Sequence, residues 1–178
     1  MTTTSNTETT EPRIYVACLA AYNSGILHGA WIDVTADAWA MWTQVAAMLR
    51  HSPIPDADEH AIHDYEGFGG VRIEEYTDLE TVAQIAELLA QHGTLGAAVI
   101  EHYCGDLDEA REALEDRHLG SYPCVADYIQ EVTEETVQVP QALRYYIDWQ
   151  AMARDAELSG DLFIIQTGYE QTHVFAGR

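Results

Sequence analysis

The chain has 178 residues, 47% of them hydrophobic, with a formal net charge of −22. That length is one ordinary domain or two to three small ones, and the apolar share is enough for a core, which argues against global disorder. All eight basic residues are arginines; the lack of lysine excludes a P-loop, a Schiff-base enzyme and a Ser–Lys hydrolase, and the acidity disfavours direct contact with nucleic acid or an anionic membrane.

In chain order, residues 1–12 read as a polar, disordered tail with no apolar region of a signal peptide. Arg13 to Leu19 (RIYVACL) is rich in β-formers and predicts a buried strand. Tyr22-Asn23-Ser24-Gly25 supplies turn residues, and Leu27 to Val34 returns as an antiparallel strand. Thr35 then reads as the N-cap of a helix to Arg50. Trp39, Trp42, Val45, Ala46 and Leu49 fall at helical spacing and are expected to cover the sheet. Pro53 and Pro55 end that helix. His60 to Tyr65 reads as a third strand, the glycines at 67, 69 and 70 as a turn, and residues 71–76 as an extended piece.

Thr77-Asp78-Leu79-Glu80 matches a capping box for a helix to Gln91, with Gly93 as its C-cap. A short helix from Leu95 to Tyr103 follows, then one from its cap Asp106 to Arg117. Tyr122 to Glu134 predicts another helix with Pro123 in its first turn. Pro140 opens a helical turn through Tyr146, Asp148 caps a helix from Trp149 to Leu158, and Gly160 ends it. Asp161 to Thr167 and Thr172 to Phe175 make a closing hairpin about Gly168. The expected class is α+β. The expected division is an N-terminal α+β domain of antiparallel sheet plus helix at 13–74, a helical bundle at 75–119 and a C-terminal α+β domain at 120–178.

Signals for enzymatic chemistry are weak. His60, His63 and Asp64 are the best metal candidate, but residues 60 and 63 of a strand point to opposite faces. His102 and Cys104 have no further Cys or His partners nearby, and the Asp56 and Asp106 segments lack the later Gly and Glu of a calcium loop. No GxSxG elbow occurs. No metal or cofactor is expected. Three cysteines with no CxxC pair fit a reducing cytosol, and no run approaches the apolar length of a membrane span.

The acid is unevenly placed. Residues 13–50 carry two acids and two arginines, whereas residues 56–161 carry 25 acids against five arginines, a net of −20. Residues 105–135 hold ten carboxylates opposed only by Arg111 and Arg117. Asp108, Glu112 and Glu115 repeat at helical spacing, as do Asp127, Glu131 and Glu134. Like charges at i,i+4 cost about 0.2–0.5 kcal/mol per pair, which packing must offset. The functional reading is a surface that imitates another polyanion. It comprises Glu80, Glu87, Asp106, Asp108, Glu109, Glu112, Glu115, Asp116, Asp127, Glu131, Glu134 and Glu135. The plain alternative is a solvated helical face.

Several separated motifs resemble the ArdA family of antirestriction proteins over residues 14–175. They are Ile14-Tyr15-Val16-Ala17-Cys18-Leu19 with Tyr22-Asn23, Leu27-His28-Gly29-Ala30-Trp31-Ile32-Asp33, and Ile62-His63-Asp64-Tyr65-Glu66-Gly67-Phe68. Tyr146-Ile147-Asp148-Trp149, Ala151-Met152-Ala153-Arg154-Asp155, Gly160-Asp161, Gly168-Tyr169 and His173-Val174-Phe175 continue the match. The resemblance implies a non-enzymatic DNA mimic carried by mobile elements, which binds Type I restriction–modification enzymes in place of DNA. It also implies an elongated chain of three small domains and a homodimer formed through the C-terminal domain. Leu143, Tyr145, Tyr146 and Trp149, large side chains beside a proline turn, are the expected interface. The rival readings are a mimic aimed at another DNA-binding protein and an acidic, metal-dependent enzyme.

Overall fold

Arg13–Cys18 forms the first strand, β1, of the computed structural model, which describes residues 11–178. The expected tail therefore lies outside the described residues apart from Glu11 and Pro12. Ile14, Val16 and Cys18 alternate toward one face and are fully buried. β2 (Gly29–Asp33) and β3 (His60–Glu66) pair antiparallel on either side of β1, in the order β2-β1-β3. Ile14 faces Ile32 and Tyr15 faces Trp31. Tyr15 pairs with Asp64 but Val16 with Ile62, so His63 is the extra residue of a β-bulge.

The connection from β1 to β2 is more than a turn. Leu19-Ala20-Ala21 are good helix formers, and Leu19–Asn23 closes a short helix, α1, that buries Ala21. The next helix, α2 (Ala38–Arg50), is capped by Asp37, not Thr35: the Asp37 carboxylate accepts from the N–H groups of Trp39 and Ala40. Its buried residues are Met41, Val45 and Met48, whereas Trp39 is 77% exposed. The tryptophans therefore do not cover the sheet. The sequence offers two overlapping stripes; the slim, adaptable methionines occupy the close approach, and Trp42 lies at the flank, edge-on to His60.

After β3, Phe68, Val71 and Ile73 are buried in an irregular segment, which returns to β3 where Ile62 N–H donates to the Glu75 carbonyl. Asp78, not Thr77, caps the following helix, accepting from the N–H and hydroxyl of Thr81, both at 2.8 Å. This helical stretch, α3 (Leu79–His102), is broken at Gly93, whose φ of 56° and ψ of −132° are accessible to glycine alone. Residues 79–92 and 94–102 are thus two helices, as the Gly93 signal predicts. The chain divides into two compact units at this point, between Gly93 and Thr94.

In the second unit, Asp106 caps α4 (Leu107–Glu112) by accepting from Glu109 N–H. The helix then widens into a single π-helical turn, Ala113–Arg117. Tyr122 does not begin a helix. His118–Tyr122 is a strand, β4, and the next helix, α5 (Val125–Thr136), starts after Pro123. Gly and Ser in β4 give a poor strand signal, but pairing of Ser121 with His173 and of Tyr122 with Thr172 on β6 overrides it. A 3₁₀ turn at Arg144–Tyr146 precedes α6 (Trp149–Ser159). Asp148 caps α6 through Ala151 N–H, and Gly160 ends it in the left-handed conformation, φ 79°, as expected. β5 (Leu162–Gly168) and β6 (Gln171–Ala176) close the hairpin, giving the sheet order β4-β6-β5.

Both faces of this second sheet are covered. Leu162 and Val174 form a core with Val125 and Ala126 of α5 and Ala153 of α6. On the opposite face Phe175 stacks on Phe163 at 4.7 Å, and Phe163 on His102 at 4.8 Å. Two small α+β units result. Among the described residues no helix is long and apolar enough to cross a membrane.

Four of these helices begin at aspartate, so stability should respond to acid at their caps. Asp78→Ala should lower stability by about 1 kcal/mol at neutral pH. The hydrogen bonds from Thr81 hold the Asp78 carboxyl below its ordinary value. The stabilisation is therefore full above the unfolded carboxylate range and is lost as pH falls through the depressed folded value. Denaturant unfolding of both forms at pH 7 and in acid checks this: the difference should be clear at pH 7 and vanish in acid.

Candidate functional site

Ten of the twelve carboxylates of the expected acidic surface are exposed; Glu109 and Glu134 are half-buried. Glu80 and Glu87 lie in the first unit and the other ten in the second. Elements of opposite charge are scarce, so the site is built from helix faces that point carboxylates into water.

The ten in the second unit do not form one row. Arg117, at the end of the π-helical turn, lies over Phe163, while α5 packs on Leu162 and Val174. Successive residues of a strand face opposite ways. The α4 carboxylates and the α5 carboxylates therefore flank the sheet from its two sides. The π-helical turn also shifts Glu115 out of line with Asp108 and Glu112, because its winding is wider than that of an α-helix.

Several of these groups have local tasks. Asp106 is a helix cap. Glu109 and Glu112 are each 3.5 Å from the guanidinium of Arg117, and Glu109 also pairs with Arg178. Cys124 Sγ donates to Asp127 at 3.3 Å. Tyr122 donates its hydroxyl to Glu131 at 3.2 Å; burial first, and this bond second, raise the phenol above its ordinary pKa and keep it a donor. Glu134 accepts from Gln130 and lies 3.8 Å from Arg144. The π-helical turn and the buried arginine inside it were not legible in the sequence. The available signal was that Arg117 is one of two cations among ten acids, beside Leu114 and Leu119.

The other candidate residues are placed apart. His60 packs on Trp42, with its pKa lowered by burial, whereas His63 lies against Tyr22 and 4.0 Å from Glu75. Asp64 accepts from Tyr65 N–H. His102 stacks on Phe163, and Cys104 is exposed. His118 and His173 approach to 3.1 Å across two strands. Among the described residues no three His, Cys, Asp or Glu side chains are grouped to hold a metal ion.

The segment of large side chains after Pro140 is open to solvent: Leu143 is 54%, Tyr145 92% and Tyr146 84% exposed. Trp149 differs, since it is half-buried against the core of α5, α6, β5 and β6.

A family model described as "Antirestriction protein (ArdA)" matches residues 14–171, most of the chain. The chain belongs to the ArdA family of antirestriction proteins. No curated protein sequence matches it. ArdA membership gives the acidic surface its context, since the activity of the family is directed at restriction enzymes. In this ArdA chain the carboxylates stand on three α-helices and one π-helical turn, two of them kept half-buried by arginines or packing.

The exposure of residues 143–146 makes a prediction that separates surface from core. Tyr145→Ala and Tyr146→Ala should each change the stability of the dilute protein by less than about 0.5 kcal/mol, while Trp149→Ala should cost about 2 kcal/mol. Urea unfolding of the three variants is the measurement.

Proposed function

We propose that this chain is a non-enzymatic DNA mimic that occupies the DNA-binding cleft of a Type I restriction–modification enzyme and so inhibits it. The observation that carries the reading is the exposure of ten of the twelve carboxylates on a lysine-free chain of the antirestriction family. Packing would allow far fewer exposed like charges at lower cost.

The scale supports the reading. Duplex DNA carries one charge per about 1.7 Å of axis, so a net charge of −22 corresponds to about 37 Å of duplex. Carboxylates four residues apart on a helix are separated by about 6 Å along its axis, near two base-pair rises. The match to a phosphate row is approximate, and no base edges are imitated. The mimic therefore competes for contacts that position DNA, not for those that read its sequence, and tolerates differences in the target's recognition sequence. A homodimer through Leu143, Tyr145, Tyr146 and the edge of Trp149 would double the length imitated. Exposed aromatic side chains beside a charged surface are the composition favoured at interface centres. The site of action on this reading is the cytoplasm, where the target enzyme meets DNA.

Screened surface charges act collectively, each contributing about 0.2–1 kcal/mol. Glu115→Gln alone should weaken inhibition of a purified Type I methyltransferase less than about fivefold. Neutralising Asp108, Glu115, Asp116, Asp127 and Glu135 together, to Asn or Gln, should weaken it about 10- to 100-fold with an unchanged circular dichroism spectrum. This set spares the Asp106 cap and the partners of Arg117. Full inhibition by the fivefold variant would reject the acidic surface as the site. Loss of all inhibition from one of these single changes would replace distributed charge by a local hot spot.

A further inference from the structure

Arg117 is the one buried cation of the acidic stretch, 9% exposed in a chain whose other arginines are at least partly exposed among the described residues. Its guanidinium lies over two rings, 5.5 Å from the Tyr103 centroid and 5.8 Å from that of Phe163. Nη2 is 3.5 Å from Glu109 Oε2, and Nε is 3.5 Å from Glu112 Oε1. Those contacts lie at the limit of hydrogen bonding and lack its angles, so Arg117 Nε and Nη2 are buried without a hydrogen-bond partner, while Glu109 Oε2 also forms an ion pair with Arg178. The attraction is therefore between charges, screened less at Glu109, whose side chain is 31% exposed, than at Glu112, whose side chain is 55% exposed.

The local winding makes this arrangement. Glu112 and Arg117 are five residues apart, a spacing that a regular α-helix would send toward opposite sides. The π-helical turn Ala113–Arg117 brings residues five apart onto one side. It turns Arg117 under the helix and leaves Glu115 and Asp116 in water. One of the two cations of this acidic stretch is thereby withdrawn from a basic partner's surface, while its charge still faces the carboxylates from beneath; Arg111 stays partly exposed.

We infer that Arg117 is a positioning residue of the acidic surface, a buried counter-ion that fixes Glu109 and Glu112 on α4 where a basic partner meets them. The inference rests on the mimic reading given above. It makes a prediction opposite in sign to that from net charge. Removing an arginine makes the chain more acidic, so if charge alone mattered, Arg117→Met would inhibit better. If Arg117 positions the carboxylates, it should inhibit worse.

The test is displacement of labelled DNA from a purified Type I methyltransferase by the full chain, at a temperature where each variant is folded by near-ultraviolet circular dichroism. Arg72→Met is the control for charge: its side chain is 79% exposed and pairs with Glu74 at the surface of the first unit. Arg72→Met should match or slightly exceed the unaltered chain. Arg117→Met should be about tenfold weaker, in the range of coupling between contacting residues. Arg117→Lys keeps the charge but not the flat fork that lies on the rings, and should recover part of the loss. A folded Arg117→Met that inhibits as well as Arg72→Met overturns the inference. Where Arg117→Met does not fold, Arg117→Lys decides: weakened inhibition supports the role, and full inhibition overturns it. An unaltered chain that displaces no DNA rejects the mimic reading itself, and the role of Arg117 with it.

Discussion

Thirty carboxylates share this chain with eight arginines. Each carboxylate must stay hydrated or meet a donor, because an ion taken out of water without a partner costs several kcal/mol. That constraint sets the architecture. Both units keep apolar cores free of carboxylates among the described residues, with the acids at the surface of helices, strand edges and loops. Where a carboxylate turns inward, a specific partner receives it. Arg13 meets Glu66 in the first unit, and Arg117 and Arg178 meet Glu109 in the second.

The same constraint explains the helix starts. Asp37, Asp78, Asp106 and Asp148 each accept a backbone N–H at a helix N-terminus. A negative group there is favoured by the exposed amides and by the helix dipole. Part of the acidity thus stabilises local structure at no cost in repulsion. The rest, on the exposed faces of α4, α5 and the helix at 79–92, has at most exposed contacts that contribute little to the fold. That surplus, carried by a chain of the antirestriction family, is what the mimic reading accounts for.

Much of the local structure was legible in the sequence because single residues carried strong signals. Gly93 and Gly160 marked helix ends that require positive φ, Asp106 and Asp148 marked starts, and the alternation in β1 and the closing hairpin marked strands. The failures came where tertiary contacts outweighed local preference. β4 is a strand because β6 pairs with it, not because His118-Leu119-Gly120-Ser121-Tyr122 favours one. The buried face of α2 was chosen by fit against β1 and β2, which periodicity cannot rank. The acidic residues themselves were plain in composition. Their division between two sides of a sheet, and the π-helical turn that places Arg117 beneath α4, depend on three-dimensional packing that no residue spacing encodes.

The central claim is that the acidic surface and DNA occupy the same place on the target. The most direct measurement is the apparent dissociation constant of a Type I methyltransferase for DNA as the concentration of this protein is raised. Exclusive occupancy predicts that the apparent constant rises in direct proportion to added protein with no plateau, and that the enzyme–DNA–protein ternary complex is not seen by sedimentation. A rise that levels off, with a ternary complex present, would contradict the account and place the inhibitor at a separate site.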